Sequence, residues 1–195
     1  MTVQILRASD RLETPWKNGG GVTREIAAYP PGAGLDDFDW RVSMATVSVG
    51  GRFSIFPGVD RVLAVLQGEL RLAFEGGATL DLTPQAAPAT FSGDISVEAE
   101  TPRGAVTDLN VMTRRGRVRA HVGRAPLDGA QRMIAAETTL VVALSANLRV
   151  GHVDGDYELE RLDTALIQHA TGERFELSAE GSGEAIQIDF LPWRP

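Results

Sequence analysis

What most limits the fold of this chain is its cadence: short segments rich in Val, Leu, Ile and Thr, broken by Gly, Pro, Asp or Asn from one end to the other. Few segments carry a helical period, so the expected class is all-β. The stretch 40–48 alternates well, with Trp40, Val42 and Met44 on one face and Arg41, Ser43 and Ala45 on the other. Arg41 and Ser43 therefore point the same way. The apolar run 62–66 is turned by Gln67-Gly68-Glu69 into 70–74, a hairpin suited to a barrel wall. The stretch 124–137 is less decided: its run A-Q-R-M-I-A-A suits a short helix, a loop or part of a strand.

The cadence also repeats. L-Q-G-E-L-R-L at 66–72 returns as L-S-A-N-L-R-V at 144–150, matching in its hydrophobic positions and in the turn before them. Further on, 79–98 and 158–177 both run strand, turn, small-residue passage, then a glycine and an acid (Gly93-Asp94, Gly172-Glu173) and another strand. A nearly constant offset favours duplication of one β-domain. A chain of 195 residues accommodates one large core or two small β-domains. The expected organisation is two barrels, 1–115 and 116–195, with exchange of N-terminal strands between them allowed.

Residues 15–25 read P-W-K-N-G-G-G-V-T-R-E. Gly19, Gly20 and Gly21 permit positive φ and close backbone approach. With Lys17, Asn18, Thr23 and Arg24 around them, they suit either a flexible hairpin with solvated charges or backbone N–H groups gathered around an anion. A phosphate-binding P-loop does not fit, because the lysine precedes the glycines and 23–28 read as a strand. In D-L-N-V-M-T-R, alternation puts Asp108, Asn110, Met112 and Arg114 on one face. Facing inward, these polar groups need each other, water or a ligand; facing outward, the pattern is ordinary. Asp60 beside Arg61 suits recognition of a polar ligand or a structural ion pair at a turn.

The formal charge of −7 disfavours broad binding to nucleic acid or anionic lipid, although a local basic pocket survives inside an acidic surface. Arg114, Arg115, Arg117 and Arg119 cluster without an aromatic platform, which suits a strand and loop with solvated arginines. The absence of cysteine removes disulfides, thiolate metal sites and a cysteine nucleophile. The N-terminus carries charge too early for a signal peptide, and no later apolar run approaches a membrane span, so the expected compartment is the cytoplasm. Ser43, Ser54 and Ser92 lack both a G-x-S-x-G setting and an identifiable histidine partner. Asp94 and Asp108 would serve as acid and base only if brought near each other. Trp16 is retained as a pocket wall, while Trp40, Phe53, Phe56 and Phe91 read as core.

W-K-N-G-G-G-V-T-R-E-I, W-R-V-S-M-A (40–45), G-R-F-S-I-F-P-G-V-D-R (51–61), F-S-G-D (91–94) and D-L-N-V-M-T-R-R (108–115), in this order, resemble the HutD/Ves family. The resemblance runs through Arg115, and no motif carries it further. It implies a double cupin, a pocket for a small acidic molecule and a regulatory role in histidine utilisation. A metal-binding cupin needs an inward cluster of His and Glu. Here His121, His152 and His169 are scattered without an H-x-H pair, and Asp60 and Arg61 stand where such ligands would be, so neither a metal nor another cofactor is expected.

The resulting expectation is a non-catalytic bicupin whose N-terminal loop closes over the first barrel beside Trp16. Lys17, Arg41 and Arg61 supply positive charge; Asn18, Ser43 and Asn110 give directional hydrogen bonds; Asp60 and Asp108 orient the cations. The backbone of Gly19 and Gly20 approaches the guest, and Arg114 is a weaker member of the set. The expected partner is a small acidic metabolite such as N-formylglutamate, with no nucleic acid and no membrane, and a homodimer left open. The rival is a metal-independent isomerase or lyase acting on a small carboxylated substrate with Asp94 or Asp108 as base. A third reading is a structural or partner-binding protein with an ion-paired interior.

Overall fold

A computed structural model describes residues 1–193. In chain order the strands are β1 (Thr2–Leu6), β2 (Glu13–Pro15), β3 (Gly21–Tyr29), β4 (Trp40–Val47), β5 (Gly51–Arg52), β6 (Val59–Gln67), β7 (Leu70–Phe74), β8 (Thr79–Leu82), β9 (Ala89–Ser92), β10 (Val97–Glu100), β11 (Val106–Arg114), β12 (Val118–Ile134), β13 (Thr138–Ala143), β14 (Leu148–His152), β15 (Gly155–Leu159), β16 (Thr164–Gln168) and β17 (Arg174–Pro192). A single 3-10 turn, Ala8–Asp10, is the only helical piece among the described residues. The chain is all-β as its cadence predicts. Of the three readings open for 124–137, the strand is the one found: most of it lies in β12, which pairs with β17.

Two compact units emerge, Leu12–Val118 and a second made of Met1–Arg11 with Arg119–Pro192. In the first, a six-stranded sheet runs β2-β3-β4-β11-β6-β9 and a four-stranded one runs β5-β10-β7-β8. Leu63, Val65, Leu70, Leu72, Val97 and Val106 form its core, with Phe53 and Phe74 packed against them. Each such fully buried side chain stabilises by roughly 1.5 to 3 kcal/mol relative to exposure. In the second unit the sheet runs β1-β16-β13-β17-β14-β15, with β12 beside β17. Val3 and Ile5 of β1 pack on a core that includes Val141, Leu148, Ile167 and Leu177. Thr2 pairs with Gln168 and Leu6 with Thr164, so the first strand of the chain completes a sheet formed mainly by its last third.

The register of the six-stranded sheet positions the polar side chains that alternation predicts. Asp108, Asn110 and Met112 of β11 lie opposite Ala45, Ser43 and Arg41 of β4 on one side. On the other side they lie opposite Val65, Leu63 and Arg61 of β6. Because side chains repeat every two residues, these cross-strand rows share one face of the sheet. A register shift between Glu25 and Ala27 lets β3 follow β4 while keeping Glu25 opposite Ser43.

The glycine run serves the backbone at the entrance to β3. Gly19 N donates to Trp16 O at 3.0 Å, Trp16 N donates to Gly21 O at 2.9 Å, and Gly20 O accepts from Ser48 N and Val49 N. A Cβ on Gly21 would lie 2.5 Å from Thr46 O and 3.2 Å from the Trp16 ring. Gly21→Ala is therefore expected to destabilise the protein by about 1 to 3 kcal/mol, the usual cost of overpacking, read as a lower urea midpoint. An unchanged midpoint would remove this explanation of the glycine.

Candidate functional site

Within the unit Leu12–Val118, the sheet face bearing Asp108, Asn110 and Met112 lines a cavity of about 660 Å³. Trp16, Lys17, Asn18, Arg41, Ser43, Arg61, Asp108 and Asn110, all expected from the sequence, border it. Gly19, Gly20, Asp60 and Arg114 do not, and each has another engagement. The Gly19 amide closes the turn onto Trp16, and the Gly20 amide donates to Asn18 Oδ1 at 3.0 Å, so neither N–H is turned outward to a guest. Asp60 accepts from Arg115 Nη2 at 2.7 Å rather than orienting Arg41 or Arg61, since neighbouring strand residues face opposite ways. Arg114 donates to the carbonyls of Phe38 at 3.1 Å and Asp36 at 2.9 Å.

Arg41 and Arg61 are held differently. Arg41 Nε donates to Glu25 Oε2 at 2.7 Å, and its Nη1 donates to Ser43 Oγ at 3.3 Å. Arg61 is buried, its Nε 3.3 Å from Asn110 Oδ1, with its guanidinium carbon 4.9 Å from the Phe53 ring centroid and 5.2 Å from that of Phe91. Aromatic faces stabilise a cation without neutralising it, so its charge remains available to an anion. Burial lowers the Arg61 pKa to about 10, with Arg41 adding to the lowering and Asp108 opposing it; the group stays charged at neutral pH. Asp108 is 2% exposed, and burial raises its pKa to about 7 against the opposing effect of Arg61.

Phe53 and Phe56, expected as core, border the cavity and flank the Arg61 guanidinium. Glu25, Thr23, Arg52 and Ser54 also border it and are absent from the expected set. A signal for two of them was present: the period of two that pairs Arg41 with Ser43 also pairs Thr23 with Glu25 in β3. Arg52 and Ser54 depend on a short strand and the loop after it, for which alternation gives no guide.

Asp94 lies outside the cavity lining. Its hydrogen bond with Ser92, followed by those from the Gly58 amide and Arg115, holds its pKa down at about 2. Such a carboxylate is a poor base, and it does not form an acid–base pair with Asp108. Among the described residues, no group of three His, Cys, Asp or Glu side chains is placed to hold a metal. The cavity's donor set also does not fit the transition metal that many cupins carry: it offers no histidine, and its buried carboxyl lies in the field of the Arg61 guanidinium. His152, in the other unit, instead lies 3.2 Å from Asp154 and 3.6 Å from Glu173.

The sequence profile of HutD matches residues 8–186. The chain belongs to the HutD family. It is 36% identical over 188 residues to an uncharacterised 21.2 kDa protein in the hutC 3′ region of Pseudomonas putida, an alignment spanning 95% of this chain and 97% of that one. Its structure superposes on a conserved protein of unknown function from Pseudomonas aeruginosa PAO1 with a TM-score of 0.90 and 31% identity, over 97% and 99% of the two chains. HutD from Pseudomonas fluorescens SBW25 superposes with a TM-score of 0.85 and 30% identity, over 99% of this chain and 100% of that one. Oxalate decarboxylase from Lactobacillus farciminis, at 8% identity and a TM-score of 0.67 over 95% and 85% of the chains, shares the fold alone. This HutD-family chain is thus a double cupin.

Proposed function

We propose that this protein binds a small acidic metabolite without turning it over and acts in the cytoplasm to regulate histidine utilisation. The observation that carries the binding reading is the cross-strand row Arg41–Met112–Arg61: two guanidiniums on one sheet face, with Ser43 and Asn110 in the next row. Two cations suit two acid groups, and the hydroxyl and amide suit an acyl oxygen. N-formylglutamate, a dicarboxylate with a formyl oxygen, has this pattern and is the first compound to try. The link to histidine utilisation rests on the HutD family and on the location named for the Pseudomonas putida relative. For the compartment, no helix among the described residues is long and apolar enough to cross a membrane.

A second reading is a metal-independent isomerase or lyase, which the raised pKa of Asp108 favours because a group titrating near 7 suits proton transfer. Calorimetry with N-formylglutamate, alongside NMR of the ligand, separates the two. Wild type is expected to bind and return the compound unchanged. Arg41→Ala is expected to weaken binding by about 1.5 to 3 kcal/mol, the range for a hydrogen bond to a charged group, while Arg119→Ala in the other unit leaves it unaltered. Equal affinity in wild type and Arg41→Ala removes that residue from the site, and consumption of the compound puts the enzyme reading first.

A further inference from the structure

Among the described residues, two aspartates, Asp108 and Asp163, are almost wholly buried, and they are treated in opposite ways. Asp163, 3% exposed, accepts from Arg7 Nη1 at 2.7 Å, the Ala8 amide at 2.7 Å and the Glu160 amide at 3.1 Å. Burial raises its pKa, but these donors outweigh that effect and hold it below the ordinary value. Asp108 has no counterpart to any of them. Its carboxyl makes no hydrogen bond and no ion pair within 4 Å to a described residue, although it borders a cavity that three arginines also border.

The surrounding charges explain what that carboxyl can do. Arg61 on β6 is the cation whose field reaches it, and the Arg61 side chain engages Asn110 and the aromatic rings instead. Arg41 on β4 is engaged with Glu25 of β3 and Ser43. Lys17 from the turn before β3 and Arg52 of β5 complete the charged groups bordering the cavity. An ionised Asp108 would repel an anion drawn in by these cations, whereas a carboxylic acid there gives it a hydrogen bond. Burial, which raises the pKa to about 7, favours the acid form before anything binds. A bound anion excludes water and adds a like charge, and both favour that form further.

We propose that the cavity takes up its anionic ligand together with one proton, carried by Asp108, whose O–H donates to an oxygen of the ligand. The proton comes from solvent and no bond of the ligand changes. Asp108 then selects for ligands that place an acceptor oxygen, carboxylate or carbonyl, in the Asp108 row of the sheet, and against those that place a cation there. This inference rests on the reading of the cavity as a site for acidic metabolites.

The test is calorimetry of N-formylglutamate between pH 6 and 9 in buffers of different ionisation enthalpy. Wild type is expected to take up close to one proton per ligand at pH 8, with affinity falling about tenfold per pH unit above the titration of Asp108. Asp108→Asn should bind with an affinity that no longer follows pH and with no uptake. Binding by wild type without proton uptake, or the same uptake in Asp108→Asn, overturns the proposal. Carbon-13 NMR of the Asp108 carboxyl in the ligand-free protein, assigned by its loss in Asp108→Asn, provides a second readout. Titration below pH 5 with binding intact and no uptake refutes the role of Asp108 while leaving the acidic-ligand reading in place. Titration near neutrality without binding of N-formylglutamate, glutamate, succinate or formate at millimolar concentration refutes the acidic-ligand reading, and the proposal falls with it.

Discussion

Asp108→Asn should make the ligand-free protein more stable than wild type at pH 8, by on the order of 4 kcal/mol, and leave it equally stable near pH 4. Burial raises the folded-state pKa from an ordinary 3.8 to about 7, so the folded protein holds a proton that the unfolded chain has released between those values. The associated stability is full below pH 4 and is lost as pH rises through 7, after which the loss is constant. Asparagine is close in shape to the protonated acid and cannot ionise, so its variant lacks this fall. Urea midpoints of both proteins across pH 4 to 9 give the difference curve, which removes the contributions of other carboxylates. A gap that is the same at every pH would show that Asp108 does not titrate anomalously. A gap that opens between pH 4 and 7 would mark a stability cost kept at a binding position, the kind of local penalty found at functional sites.

How far the sequence discloses this arrangement follows from the range over which each signal acts. The all-β class and the shared face of Arg41 with Ser43, or of Asp108 with Asn110, are consequences of a period of two within a single strand. The register that sets Met112 between Arg41 and Arg61 joins strands distant in sequence and leaves no local trace. Asp60 is instructive because the same period, applied to V-D-R, separates it from Arg61, yet its partner Arg115 lies 55 positions away. Phe53 and Phe56 read as core because aromatic residues usually go there, and the buried guanidinium beside them gives their position another use. The glycine run suits a hairpin or an anion cradle by composition, and the Gly19 and Gly20 amides are spent on the turn that starts β3. The residues around 130 show helical composition but lie in a long strand, because pairing with β17 overrides a weak local preference.

The largest expected effect in the other unit comes from Asp163→Asn. Asp163 follows Leu162, which stands in the left-handed region at φ 70, at the corner leading into β16. Its two carboxylate oxygens hold the Ala8 and Glu160 amides and Arg7 Nη1, fastening the segment after β1 to that corner. Arg11 strengthens the same join, its Nη2 donating to Leu162 O at 2.7 Å and Thr164 Oγ1 at 3.0 Å. Asparagine keeps the shape but replaces one accepting oxygen with an NH₂, leaving a donor facing a donor, and removes the charge opposite Arg7. Breaking a buried pair typically costs 3 to 5 kcal/mol; because Arg7 is 44% exposed and can be hydrated, a loss of about 3 kcal/mol is expected. The amides of β1 should exchange with solvent faster than those of β13, since the local clamp is lost while the central pairing of β13 with β16 and β17 remains. The pH dependence has the opposite sign to that of Asp108: a lowered pKa gives stability that is present above the unfolded value and lost as pH falls through the folded one. The gap between wild type and Asp163→Asn should therefore narrow in acid while that for Asp108→Asn opens towards neutrality. Unchanged exchange in β1, or a gap that does not narrow as the pH falls, would show that the carboxylate is not what fastens the N-terminal strand.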